Sequence, residues 1–121
     1  MIPMFPRRPG WSVVDGTDIN EKKVKALADA ADACWHAILA RDLAGFAAAY
    51  KASFEAQVAM FPAMIQPGVQ EYIDKYGSMD GVLAWKMPGA GGGGYLALVC
   101  TNRAHFPEGA IELHIRRRGI L

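Results

Sequence analysis

The chain has 121 residues, 52% of them hydrophobic and 21% charged, with a formal net charge of +1. That length fits one domain, 1–121, able to bury a core without disulfides or metals. The small net charge argues against partners selected by bulk electrostatics, nucleic acid and anionic membrane surfaces among them, and no run approaches the ~18 apolar residues of a membrane helix.

From Met1 to Val14 two strand-like pieces, Met1–Phe5 and Trp11–Val14, flank Pro6, Arg7, Arg8, Pro9 and Gly10. Prolines restrict such strands to a sheet edge, and paired arginines there read first as decoration of a wet edge. No secretory leader is legible in this opening, and Cys34 and Cys100 read as small buried hydrophobes in a reducing cytoplasm.

Asp18, with Glu21 three residues on, is the expected cap of a first helix. Its apolar positions Val24, Leu27, Ala28, Ala31, Cys34, Trp35, Ile38 and Leu39 follow helical spacing. Asp42 caps a second helix carrying Leu43, Phe46, Ala47, Tyr50, Phe54, Val58 and Phe61 up to Pro62, and the short joint predicts a helical hairpin. A third helix is expected from about Pro67 through Tyr72, Ile73 and Tyr76, with Gly77 as a left-handed cap.

The pattern then changes to strands: Val82–Lys86, Tyr95–Cys100, and Ala110–Arg116, where Ile111, Leu113 and Ile115 alternate inward with Glu112, His114 and Arg116. Strands, three helices and three further strands predict an α+β domain, an antiparallel sheet with helices packed on one face.

Between two of those strands, Gly89, Gly91, Gly92, Gly93 and Gly94 fill all but Ala90 of a six-residue stretch. Glycine surrenders more backbone freedom on folding than any other residue, about 0.5–1 kcal/mol relative to alanine, so the run must supply something side chains would obstruct. A dinucleotide fingerprint requires a helix directly after the loop, and here a strand follows. A phosphate-binding Walker loop needs Lys-Ser/Thr where Tyr95-Leu96 stands. Two readings remain, a flexible hairpin tip and a strand connection whose bare backbone approaches a ligand or another loop and whose exposed amides can form an anion-binding nest.

Lys86 precedes the loop and reads first as a solvated lysine, second as a phosphate contact. Arg116, Arg117 and Arg118 read as a wet edge, and His36, His105 and His114 have no nucleophile or carboxylate at useful spacing. Trp35, Trp85 and Phe54 are expected in the core, with Trp85 as an alternative wall for a sugar pocket.

The run Lys86-Met87-Pro88-Gly89-Ala90-Gly91-Gly92-Gly93-Gly94 resembles the third motif of the GHMP kinases, a lysine, a hydrophobic residue, Ser/Thr and Gly-Ala-Gly-x-Gly-Gly ahead of an apolar strand. The order of helices and strands from about Phe5 to Cys100 is similar to the C-terminal, ferredoxin-like domain of that superfamily, nearest to kinases of galactose, fucose and heptose phosphate. Phe54-Glu55-Ala56-Gln57 and Phe61-Pro62 incline the resemblance toward these sugar kinases. Pro88 stands where the family has Ser or Thr, and the N-terminal-domain motif P-x-x-x-G-L-G-S-S-A does not occur.

The resemblance implies phosphoryl transfer from ATP, with magnesium, to a sugar or sugar phosphate in a complete cytoplasmic enzyme. It makes an N-terminal ATP-binding domain the partner and assigns the loop residues Gly89, Ala90, Gly91, Gly92, Gly93 and Gly94, with Lys86, to the domain interface. The chain alone would then hold neither cofactor tightly and would not turn over, and dimerisation would be another way to cover its apolar surface. The rival is a non-catalytic module of the same fold that binds a metabolite or a partner chain.

Overall fold

The computed structural model describes residues 1–115 and is built from a short strand β1 (Ile2–Pro3), helices α1 (Glu21–Ala40), α2 (Leu43–Met60) and α3 (Val69–Gly77), and strands β2 (Val82–Lys86) and β3 (Tyr95–Cys100). It is α+β, as expected. Two single 3-10 turns, Pro62–Met64 and Arg103–His105, complete the regular structure of the described residues.

The first helix starts two residues later than its expected cap. Asn20 is extended, and its Oδ1 accepts the Lys23 amide at 2.9 Å; Asp18 instead accepts the Lys23 ammonium at 2.5 Å. Either side chain can satisfy an orphan amide, and the backbone selects the one adjacent to the first turn. At the other end Arg41 takes a left-handed φ of 55°, and the Asp42 N–H returns to the Ala37 carbonyl at 2.9 Å. Asp42 then caps α2 through the Gly45 amide at 2.9 Å, so the hairpin closes in two residues.

In α1 the buried positions are Ala30 and Ala37, small residues that let the axis approach α2. α2 in turn packs on β2, and α3 on β2 and β3. The expectation that Trp35 fills the core fails: it is 45% exposed and joins exposed Val24, Ala28, Ala31 and Leu39 in a stripe along α1. The apolar arc of this helix is wider than the contact α2 offers.

β3 lies in the middle of the sheet, order β1-β3-β2, with both neighbours antiparallel. Ile2 pairs Leu96, Trp85 pairs Leu98, and Lys86 pairs Ala97, with an irregularity between Val82 and Ala84. Pro3 sits in the edge strand, where its missing donor costs no ladder bond. Alternation puts Trp85, Met87, Leu96 and Leu98 on one face, and all belong to the core with Phe54, Met64, Val69 and Ile73.

Three local expectations are corrected. Trp11–Val14 is not a strand but the start of successive turns, with Trp11 N–H on Arg8 O at 3.1 Å and Asp15 N–H on Ser12 O at 3.2 Å. The third helix begins at Val69 after Gly68, whose φ is 95°, rather than at Pro67. Gly77 is the last residue of the helix and has no positive φ; it is glycine because a Cβ there would come within 2.9 Å of the Trp85 ring.

The last predicted strand does not form over 110–115. Ile111, Leu113 and Ile115 do not point into a core, being 47%, 61% and 48% exposed. Ile111 nonetheless exchanges two backbone bonds with Met1, Ile111 N–H to Met1 O at 2.9 Å and Met1 N to Ile111 O at 2.5 Å. That is one antiparallel rung outside β1, which is too short to template more. Arg116, Arg117 and Arg118 lie outside the described residues.

Leu96 is 0% exposed at the centre of the sheet. Leu96→Ala should therefore lower unfolding free energy by about 2–5 kcal/mol, read as a shift in the urea midpoint with unchanged slope.

Candidate functional site

The β2–β3 connection is built by close packing. Gly89, Gly91, Gly92, Gly93 and Gly94 have φ of 71°, 73°, 74°, 153° and 79°, a region side chains rarely enter. Gly91, Gly92 and Gly93 are buried. A Cβ on Gly91 would come within 2.9 Å of Met64, one on Gly92 within 2.3 Å of the Trp11 ring, and one on Gly93 within 2.6 Å of the Phe5 carbonyl oxygen. A Cβ on Gly89 or Gly94 would meet nothing.

The N-terminal segment lies across this run and extends the β1–β3 ladder into it. Met4 N–H donates to Gly94 O at 2.7 Å and Gly94 N–H to Phe5 O at 2.8 Å. From the other side Gly92 N–H donates to Met64 O at 2.9 Å. Trp11, whose indole N–H is held by Ala63 O at 2.8 Å, covers Gly92. The buried half of the run is therefore a seat between two segments, not a loose tip.

Arg7 completes the seat. Its Nε donates to Gly91 O at 2.8 Å, and its guanidinium lies 5.5 Å from the centre of the Trp11 ring. The reading of Arg7 and Arg8 as edge decoration is thus corrected for Arg7. No local sequence signal marks this contact, which joins residues 84 apart.

Lys86 does not reach over the glycines. Its Nζ donates to Gln57 Oε1 at 2.6 Å and to Ser53 Oγ at 3.2 Å, and it lies 5.9 Å from the Phe54 ring. Gln57 Nε2 in turn donates to Gly89 O at 3.4 Å. Lys86 therefore acts on the loop through Gln57, as a positioning residue. Burial pushes its ammonium below the usual lysine range, partly offset by Cys34. Burial likewise pushes the Cys34 thiol up, against the lowering effect of Lys86, and the Tyr50 hydroxyl up.

At the open end of the loop, Gly89 is exposed and Ala90 half-buried, and their amides find no acceptor among the described residues; nor do those of buried Gly91 and Gly93. Donors without acceptors, next to an arginine, favour an anion. Trp85 is not part of this place. It packs between Gly77 and the Lys51 ammonium, 4.7 Å from its ring centre, and lines an open groove with Phe54, Glu55 and Gln70 that no loop residue reaches.

The remaining candidates stay apart. His105 packs on Gly81, and His114 lies 3.6 Å from Glu112 on the surface. Cys34 and Cys100 are free thiols, half-buried and buried respectively.

Gly92→Ala should destabilise by about 2–5 kcal/mol, because a disfavoured φ and overlap with Trp11 act together, whereas Gly89→Ala should cost only about 1 kcal/mol for its left-handed backbone; urea midpoints separate the two. For Lys86 the lowered folded-state value means the buried charge destabilises fully at low pH, and this fades as pH rises toward the ordinary 10.5. Loss of Lys86 also removes its lowering effect on Cys34, which costs the variant stability above the ordinary thiol value of 9.0. Both effects have one sign, so wild type should gain stability relative to Lys86→Gln as pH rises through the alkaline range in paired urea titrations.

Comparison with known proteins finds no family model, no curated protein and no solved structure that matches the chain.

Proposed function

We propose that this chain is the C-terminal half of a two-part carbohydrate kinase, a GHMP-type domain that contributes its glycine loop to a phosphoryl-transfer site shared with an N-terminal ATP-binding domain. The observation that carries the reading is the Lys86–Gly94 run itself, placed between antiparallel strands with one end buried and the other open. In such a site the protein's contribution is positioning and electrostatic support of the transferred group rather than covalent chemistry.

Each part of the loop has a role in this reading. Gly91, Gly92 and Gly93 fix the backbone; the unpartnered amides of Gly89 and Ala90 face the phosphates; Lys86 and Gln57 hold the loop entrance at Gly89. Pro88 offers no N–H at the entrance, so the polar contact a serine or threonine would make falls to the backbone. ATP would supply the phosphoryl group. The reading assigns the magnesium ligands, with the other ATP contacts, to the N-terminal domain. It also assigns the sugar or sugar phosphate mainly to that domain and places the assembly in the cytoplasm.

No helix among the described residues is long and apolar enough to cross a membrane. The exposed stripe of α1 is surface that a second domain, or a second copy, would cover. A binding module without turnover is the second reading, favoured by the self-contained packing of the loop within this chain.

The test is ADP release with a panel of hexoses, fucose and heptose phosphate, measured for the chain alone and mixed with an ATP-binding domain encoded beside it. The kinase reading predicts no release from the chain alone and sugar-dependent release from the mixture. Release from neither, with every sugar, contradicts it and leaves the module.

A further inference from the structure

The N-terminal segment brings a cation to the glycine loop that nothing in the loop's own sequence announces. Arg7 is exposed, yet its guanidinium is held at two points, by Gly91 O through Nε and by the Trp11 ring. Trp11 is itself locked by Ala63 and by contact with Gly92. Only one of the five N–H donors is used, and the two terminal nitrogens find no acceptor among the described residues. No carboxylate pairs with Arg7 there either, since the acids in ion pairs are Asp18, Asp29 and Glu112.

On the same loop, the amides of Gly89, Ala90 and Gly91 find no acceptor among the described residues, the space beside Gly89 is open, and Gly89 and Gly91 both take positive φ. A fixed fork of charge beside unsatisfied amides, with no acid in contact, is what a tetrahedral oxyanion requires. We propose that Arg7 and the Gly89–Gly91 amides form a binding site for a terminal phosphoryl group, with the free end of the guanidinium gripping two of its oxygens.

The choice of ligand rests on the phosphoryl-transfer reading; the site rests on the local geometry. Because Arg7 is already immobilised, binding forgoes most of the side-chain ordering that a free arginine requires. Lys86, committed to Gln57 and Ser53, is not a ligand in this arrangement.

The test is an amide NMR titration of the full chain with ATP and magnesium, with inorganic phosphate and with glucose 6-phosphate, against glucose as the uncharged control. Saturable shifts at Gly89, Ala90, Gly91 and the Arg7 Nε–H are expected with the phosphate-bearing probes and none with glucose. A response confined to ATP assigns a nucleotide phosphate; an equal response to all three assigns a phosphoryl group of any origin.

Arg7→Gln should weaken binding at least about tenfold, and Arg7→Lys, which keeps the charge without the fork, should also weaken it, while Arg8→Gln should bind as wild type. No saturable shift at these amides overturns the site, as does wild-type affinity in both Arg7 variants. The two proposals fail separately. Binding without turnover in the presence of the second domain contradicts the kinase reading alone, and sugar-dependent turnover untouched by Arg7→Gln contradicts the site alone.

Discussion

The structure depends on one close approach, the backbone of Gly93 against the backbone of Phe5 and Arg7, where a Cβ would stand 2.6 Å from a carbonyl oxygen. Because neither partner is a side-chain end, nothing there can swing aside. That contact fixes the N-terminal segment across the loop, and the rest follows from it. Met4 and Phe5 continue the ladder of β1, Arg7 falls within reach of Gly91, and Trp11 comes down on Gly92. The 3-10 turn at Pro62–Met64 closes the far side through Gly92 and Met64.

This geometry answers why a small domain accepts so many glycines in a row. Three of them are required by packing and two by backbone conformation alone, so the run is neither uniformly flexible nor uniformly a binding loop. The entropy cost of each buried glycine is met by the close packing around Gly91, Gly92 and Gly93. Lys86 supports the same frame from β2. Its half-buried charge is partly desolvated, and hydrogen bonds to Ser53 and Gln57 replace the lost hydration.

Much of this was legible in the sequence wherever a signal is local. Helical spacing found α1 and α2, Asp42 was readable as a cap, and apolar runs bounded by glycine gave β2 and β3 at their observed limits. What was not legible depends on contacts between distant segments. Gly77 looked like a terminator and is a slot for Trp85; Trp11 looked like a strand residue and is a lid on Gly92. Trp35 follows the apolar period of α1 but lies on the part of the arc that α2 does not cover. Arg7 was invisible as a loop residue because no rule of spacing links residues 7 and 91. Residues 110–115 carry strand alternation, yet among the described residues only Met1 exchanges backbone bonds with them.

Native-state hydrogen exchange of the loop amides separates a packed seat from a loose tip. If the run is a packed seat with an open end, the Gly92 and Gly94 amides, bonded to Met64 and Phe5, should be protected to the level of the β3 core, and those of Gly89 and Ala90 should exchange rapidly. Exchange at Gly92 and Gly94 as fast as at Gly89 would show a loose hairpin tip and no packed seat.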